Sequence, residues 1–230
     1  MEQRVHVAVE DGIAFVTMDD GKVNALSADL LRELGAAFDE AERAGAVVVL
    51  KGREGVFSAG FDLATFQRGA EATLEMLREG AALIDRILGF PRPVLTACAG
   101  HAYPAGAFLM LAADIRYGAE GAFRIGMNEV AIGLTVPFFA LELARHRLTP
   151  PGFARITTAA MFAPDEALRL GYLDRIVAPE ALEGEVREEA LRLGTLHPAS
   201  FTATKARIHG RAREAIRHAA AEELRAPAAA

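Results

Sequence analysis

Tryptophan is absent from this 230-residue chain, and cysteine occurs once. A single thiol forms no intramolecular disulfide and no cysteine metal cluster, so the fold must be held by its apolar core. Cys98 lies in the apolar run Val94-Leu95-Thr96-Ala97-Cys98-Ala99 and reads as a buried, inert thiol. No window approaches the roughly 20 apolar residues of a membrane span, and the start Met1-Glu2-Gln3-Arg4-Val5 carries no apolar signal region. A cytoplasmic location without a membrane partner is the expectation. The chain also lacks an excess of cations: 25 Lys and Arg face 31 Asp and Glu, a formal charge of -6. With no basic stripe to track a phosphate backbone, nucleic acid is not an expected partner.

What the chain has in quantity is apolar surface, 52% hydrophobic residues against 24% charged, enough for one globular domain with a sizeable core. Val5 to Val9 and Ile13 to Met18 flank Glu10-Asp11-Gly12, the pattern of a β-hairpin. Ser27 is placed to cap a helix whose apolar face is Leu30, Leu31, Leu34, Ala37, Phe38 and Ala41. Val47-Val48-Val49-Leu50 reads as a buried strand. A second amphipathic helix runs from about Glu71 to Leu88 and stops before Pro91 and Pro93; Pro93 to Gly100 is again a strand entering a turn. From Pro137 onward the pattern is mostly helical, with one short strand at Arg175-Ile176-Val177 and a frayed tail, Ala226 to Ala230. Basic residues gather at Lys205, Arg207, His209, Arg211, Arg213 and Arg217. They read as a solvated helix face, with an anionic ligand or a subunit contact as the alternatives.

Three stretches carry the chemistry: the turns Phe57-Ser58-Ala59-Gly60-Phe61-Asp62-Leu63 and Tyr103-Pro104-Ala105-Gly106-Ala107, then Gly126-Met127-Asn128-Glu129-Val130. Each glycine turn follows an apolar strand and precedes a helix, so backbone N–H groups can be left free at a helix N-terminus. Two fixed donors suit a developing oxyanion, and one nearby carboxylate suits proton transfer. Val56-Phe57-Ser58-Ala59-Gly60 superficially matches a nucleophile elbow, but Val56 stands where that motif requires glycine. Asp62 also has the position of a helix cap, and Asp114 reads as structural. His101 and Tyr103 read as packing or loop residues.

These motifs resemble the crotonase superfamily, the enoyl-CoA hydratase/isomerase family, from the N-terminal hairpin to about Val177. The resemblance implies an α/β crotonase (ClpP/crotonase-like) fold. It would consist of a spiral core of repeated ββα units over residues 1–178 and a C-terminal helical trimerisation region over 179–230. It implies a coenzyme A thioester as substrate, no prosthetic group and no metal, and a homotrimer or dimer of trimers. In Gly55-Val56-Phe57-Ser58-Ala59-Gly60-Phe61-Asp62-Leu63 the Phe61 N–H takes the place of the first oxyanion donor. In Gly100 through Ala107 the Ala105 N–H takes that of the second. Family hydratases use two glutamates. Phe108 stands at the first of those positions and only the second is matched, by Glu129, so the closest resemblance in motifs is to the Δ3,Δ2-enoyl-CoA isomerases. Asn128 would then stand beside the base, and Phe108, Val130 and Leu134 would line an apolar pocket that raises its pKa. Ala25, Asp62, Leu63 and Gly106 are the implied substrate contacts, mostly through backbone, and Lys205 the implied approach to the nucleotide phosphates. Hydration, thioester hydrolysis, decarboxylation and non-catalytic CoA-thioester binding remain the alternatives.

Overall fold

The computed structural model describes residues 3–225. The tail Ala226 to Ala230 lies outside the described residues, as do Met1 and Glu2. The N-terminal hairpin forms as the sequence pattern requires. β1 (Val5–Glu10) pairs antiparallel with β2 (Ile13–Met18) across Asp11 and Gly12, both left-handed at φ 51° and 77°, the two-residue turn geometry that matches strand twist. β3 (Ala25–Leu26) and helix α1 (Ala28–Arg43) follow. Ser27 caps α1 by accepting from the Leu30 N–H at 3.3 Å, and the six apolar residues expected on its inner face are all buried.

The same unit then recurs. A strand of a large sheet leads to a short strand of a second layer and on to a helix. β4 (Val47–Lys51), β5 (Gly55–Ser58) and β6 (Gly60–Phe61) precede α2 (Leu63–Gln67) and α3 (Ala70–Gly89). β7 (Val94–Cys98) and β8 (Gly100–Ala102) precede α4 (Pro104–Ala112). β9 (Ile115–Ala119) and β10 (Ile125–Gly126) lead through a 3₁₀ turn at Glu129–Ile132 to α5 (Phe138–Arg147). The chain closes with α6 (Pro150–Ala154), β11 (Met161–Phe162), α7 (Pro164–Leu170), β12 (Arg175–Val177), α8 (Leu182–Gly194) and α9 (Pro198–Glu223).

The large sheet has the order β1-β2-β4-β7-β9-β12, parallel from β2 onward, with Phe15, Val49 and Leu95 in register. A second sheet, β11-β10-β8-β5, and the parallel pair β3-β6 form the inner layer. The first four residues of β4 and all of β7 are buried, which explains their continuous apolar runs: a parallel strand covered on both faces has no polar side to alternate. The short strands of the second layer, together with β9, are the elements that the sequence pattern did not reveal. Strands of two to five residues carry little or no period.

The C-terminal helices are not an appendage. α8 packs across β2, β4, β7 and β9, and Leu182, Val186, Ala190 and Leu193 belong to the same core as the strands. α9 lies along α3 and α5. Here the basic cluster departs from a solvated face. Lys205, His209 and Arg213, spaced by four, turn inward, while Arg207, Arg211 and Arg217 stay exposed. Lys205 is 4% exposed and its Nζ donates to Asp114 at 2.6 Å. Asp114 also accepts from the Val94 N–H at 2.8 Å, and Arg213 donates to Asp85 at 2.8 Å. Lys205 is therefore a structural cation and does not present itself to a nucleotide phosphate. No helix among the described residues is long and apolar enough to cross a membrane.

Removing one partner of such a buried pair strands the other charge, at a cost of about 3–5 kcal/mol. Lys205→Met should therefore lower stability by that order in a denaturant titration while leaving the Kd for an acyl-CoA unchanged. A variant as stable as the parent but with weakened acyl-CoA binding would restore the phosphate role.

Candidate active site

The first glycine turn is fixed by Asn24. At φ 52° and fully buried, Asn24 donates through Nδ2 to the carbonyls of Met18 (2.9 Å) and Phe57 (3.2 Å), and its Oδ1 accepts from the Asp20 N–H at 3.0 Å. Its own carbonyl accepts from Ser58 Oγ at 2.7 Å, and that hydroxyl accepts in turn from the Gly60 N–H at 3.1 Å. Ser58 is thus a buried lock for the turn, and its Oγ is committed to the backbone; the nucleophile reading of this residue is excluded. With Gly60 N–H held by Ser58 and Asp62 N–H donating to Leu26 O at 3.2 Å, strand alternation turns the Phe61 N–H away from β3.

The second turn brings the N-terminus of α4 to the same place. Tyr103 caps α4 without a side-chain hydrogen bond, and the first intrahelical bond runs from Ala107 N to Tyr103 O. The Ala105 N–H therefore has no partner in its own helix and lies at the positive end of the dipole. Gly60 sits at φ 90°, and a Cβ there would stand 3.4 Å from the Ala105 nitrogen. Only glycine fits the conformation, and only glycine keeps the space between the two donors open.

Glu129 completes the site. It opens the 3₁₀ turn that Gly133 ends, and the Leu134 N–H donates to its carbonyl at 2.9 Å. Its side chain is 6% exposed, and neither carboxylate oxygen has a hydrogen-bond partner. Burial pushes its pKa from 4.5 up to about 7, its own nearby backbone N–H opposing the shift only weakly. The carboxyl faces a cavity of about 270 Å³ whose walls include Gly60, Phe61, Leu63, Leu77, Tyr103 and Leu134.

The remaining expected site residues divide. Asn128, Leu63 and Leu134 line this cavity. Ala25 lies in β3 opposite Gly60. Asp62 caps α2, accepting from Ala64 N at 3.1 Å and Thr65 Oγ1 at 2.7 Å, so its carboxylate is occupied. Gly106 is buried against Ser58. Phe108 does not line the cavity. It is fully buried behind Phe61, ring centroids 6.2 Å apart, and its far side meets Phe139 at 6.4 Å. Val130 points outward, 52% exposed. Phe66, Leu77, Ile132, Thr135 and Pro137 were not anticipated as cavity residues. Leu77 belongs to helix α3, where periodicity marks only an apolar face, and the loop positions carry no periodic signal at all. His101 lies in β8 and packs against Tyr103 and Phe123, its Nδ1 accepting from Arg124 N at 3.2 Å. Tyr103, read as packing, is in the cavity wall. Cys98 is buried, its thiol pushed up to about 12 by desolvation.

A buried carboxyl without a hydrogen-bond partner thus shares one apolar cavity with residues of both glycine turns, Gly60 and Phe61 from the first and Tyr103 and Pro104 from the second, an arrangement suited to proton transfer on an apolar substrate. Residues 8–226 match the enoyl-CoA hydratase/isomerase family model. An enoyl-CoA hydratase/isomerase family protein from Pseudomonas syringae superposes with a TM-score of 0.94 at 37% identity, covering 96% of both chains. A Mycobacterium tuberculosis structure described as an enoyl-CoA isomerase gives 0.92 at 39% identity over 97% of this chain and 98% of its own. A Bacillus subtilis relative described as a probable enoyl-CoA hydratase is 32% identical over 195 residues, 82% of this chain and 74% of its own. The chain belongs to the enoyl-CoA hydratase/isomerase family of the crotonase superfamily and has the crotonase fold. Enzymes of this family act on coenzyme A thioesters without a prosthetic group.

A carboxyl that holds its proton up to about pH 7 in the folded state, but releases it near 4.5 when unfolded, stabilises the fold fully below 4.5. That advantage is lost as pH rises through 7. At about 1.36 kcal/mol per unit, the deficit above pH 7 is on the order of 3 kcal/mol or less. Glu129→Gln should therefore raise stability by about 1–3 kcal/mol at pH 8, a gain that shrinks towards pH 4.5. Chemical denaturation at the two pH values measures it, and equal stabilities at pH 8 would mean the carboxyl is not destabilised by burial.

Proposed function

We propose that this protein is a Δ3,Δ2-enoyl-CoA isomerase. The observation that supports the reading is the solitary carboxyl. Among the described residues lining the cavity Glu129 is the one acidic side chain, and the position where family hydratases carry a second glutamate holds the buried Phe108. Hydration requires a water activated by one group while a proton is delivered by another. Double-bond migration needs one base that takes a proton and gives it back. The relatives' descriptions include both activities, so the choice rests on this residue inventory.

In the proposed reaction the thioester carbonyl of a 3-enoyl-CoA accepts from the Phe61 and Ala105 N–H groups. The Glu129 carboxylate removes a proton from C2, and the C–H electron pair becomes the C1=C2 bond of a dienolate whose charge rests on the thioester oxygen. The carbonyl then re-forms, the double bond shifts to C2=C3, and the Glu129 carboxyl delivers its proton to C4. A pKa of about 7 suits a group that must act as base and then as acid at neutral pH. Removing one oxyanion donor of this type typically costs about 2.7–4 kcal/mol of transition-state stabilisation. We place the coenzyme A chain along Ala25 and Leu63, contacted mostly through backbone, with Asn128 beside the base. The assembly we expect is a homotrimer or a dimer of trimers.

Absorbance of the conjugated 2-enoyl thioester reports the reaction. Wild type should convert a 3-enoyl-CoA and Glu129→Gln should lose about 10²-fold or more of kcat. Formation of a 3-hydroxyacyl-CoA from a 2-enoyl-CoA at a comparable rate would move the assignment to hydratase, and turnover by the variant at the parent's rate would remove Glu129 from the mechanism. Because the base must be ionised, kcat/KM should rise with pH and level off above about 7; a profile flat from pH 5 to 9 contradicts this.

A further inference from the structure

Helix α3 contains a glycine where a helix interior is normally weakened by one. Gly80 lies buried in the middle of the 20-residue helix, with no turn or cap to justify it. The reason is contact. A Cβ at Gly80 would stand 2.8 Å from both Cε1 and Cζ of Phe61 and 4.0 Å from Cδ1 of Leu31. The Phe61 ring therefore rests directly on the α3 backbone. On another side it meets Phe108, edge-on at 65° with centroids 6.2 Å apart, and Phe108 is itself backed by Phe139 of α5 at 84°. Neither aromatic neighbour has room to retreat, since Phe108 and Phe139 are wholly buried.

We propose that Gly80 is a positioning residue for the oxyanion hole: the bare α3 backbone at Gly80 seats the Phe61 ring and thereby fixes the Phe61 N–H. This rests on the reading of Phe61 as an oxyanion donor. The α3 backbone and Phe108 close two sides of the ring, so its one escape by rotation is into the cavity that Phe61 lines, where it would obstruct substrate and show in KM; otherwise the displaced ring carries the Phe61 backbone with it. Restoring van der Waals distance to an alanine Cβ requires more than half an ångström of movement, and errors of about 1 Å at a reacting centre cost on the order of 10²-fold in rate. Phe61 lies on β6 and the second donor on α4, so a shift of the Phe61 backbone alone changes the spacing of the two N–H groups.

The test is a double-mutant cycle of Gly80→Ala and Phe61→Leu, read by kcat and KM on a 3-enoyl-CoA, by Kd for a saturated acyl-CoA and by thermal unfolding. Leucine keeps the N–H but lacks the Cε1 and Cζ atoms that the alanine would strike. The expected result is a ten- to hundredfold loss of kcat in Gly80→Ala with KM, Kd and Tm near the parent values. The double variant should return to the kcat of Phe61→Leu alone. Parent-like kcat in Gly80→Ala, a change confined to KM or Kd, or additive losses in the double variant would overturn the proposal. If Gly80→Ala does not fold, the double variant decides: folded and active supports the contact with Phe61, unfolded overturns it. Wild type inactive on 3-enoyl-CoA would instead overturn the isomerase reading; the cycle is then read on whichever acyl-CoA reaction the wild type performs.

Discussion

A carboxyl group buried without a hydrogen bond is the constraint around which this site is organised. Glu129 lies in the cavity wall, and both of its carboxyl oxygens are buried without a hydrogen-bond partner. Leaving such a group unsatisfied costs on the order of 1–3 kcal/mol, and the fold spends stability to keep it so. The 3₁₀ turn and its Gly133 exit hold the residue from the backbone side, through Leu134 N–H on the Glu129 carbonyl. The side chain is therefore positioned without being neutralised. Supplying a cation or an N–H to the carboxylate would stabilise the protein and return the pKa towards that of an ordinary glutamate, leaving a group too weakly basic to remove a proton from C2 at neutral pH.

The opposite wall is built on the reverse principle. There the polar groups that matter are donors, and they are left free because everything around them is satisfied. Asn24 and Ser58 consume the neighbouring carbonyls and the Gly60 N–H. Asp62 consumes the Ala64 N–H at the start of α2. The Phe61 N–H and the first-turn N–H of α4 at Ala105 are left out of these bonds. These are the two groups we propose as oxyanion donors, and the hydrogen-bond pattern gives a physical reason why they are available. The large sheet serves both walls: β4 and β7 run parallel and in register, so the turns that follow them emerge on one side of the molecule.

Much of this was legible in the sequence. The hairpin, the Ser27 cap and helices α1 and α3 carry periodicity or turn chemistry, the strands β4 and β7 stand out as unbroken apolar runs, and the two glycine turns with Glu129 stand out by residue type. The second sheet layer did not, because strands such as β8 and β10 are too short to show a pattern. The phosphate role of Lys205 is what the family resemblance implies, and the structure instead pairs this lysine with Asp114; the four-residue spacing of Lys205, His209 and Arg213 puts them on one helix face, but Arg207 and Arg211 share the same spacing on an exposed face, so sequence alone does not say which face is inward. Phe108 was placed in the pocket because its motif position abuts the site, yet burial there is two residues deep, with Phe61 in front. Asn24 and Ser58 were visible as motif letters, but their roles depend on contacts across more than thirty positions of sequence.

The central claim, that one buried carboxyl carries the proton from C2 to C4, is most directly tested by following the label in a 3-enoyl-CoA deuterated at C2. Mass or NMR analysis of the 2-enoyl product should find a fraction of the deuterium at C4, because the same Glu129 oxygen pair that removed it also returns it. A product formed by the enzyme with all of its C4 hydrogen drawn from solvent, or a 3-hydroxyacyl-CoA in its place, would contradict the account.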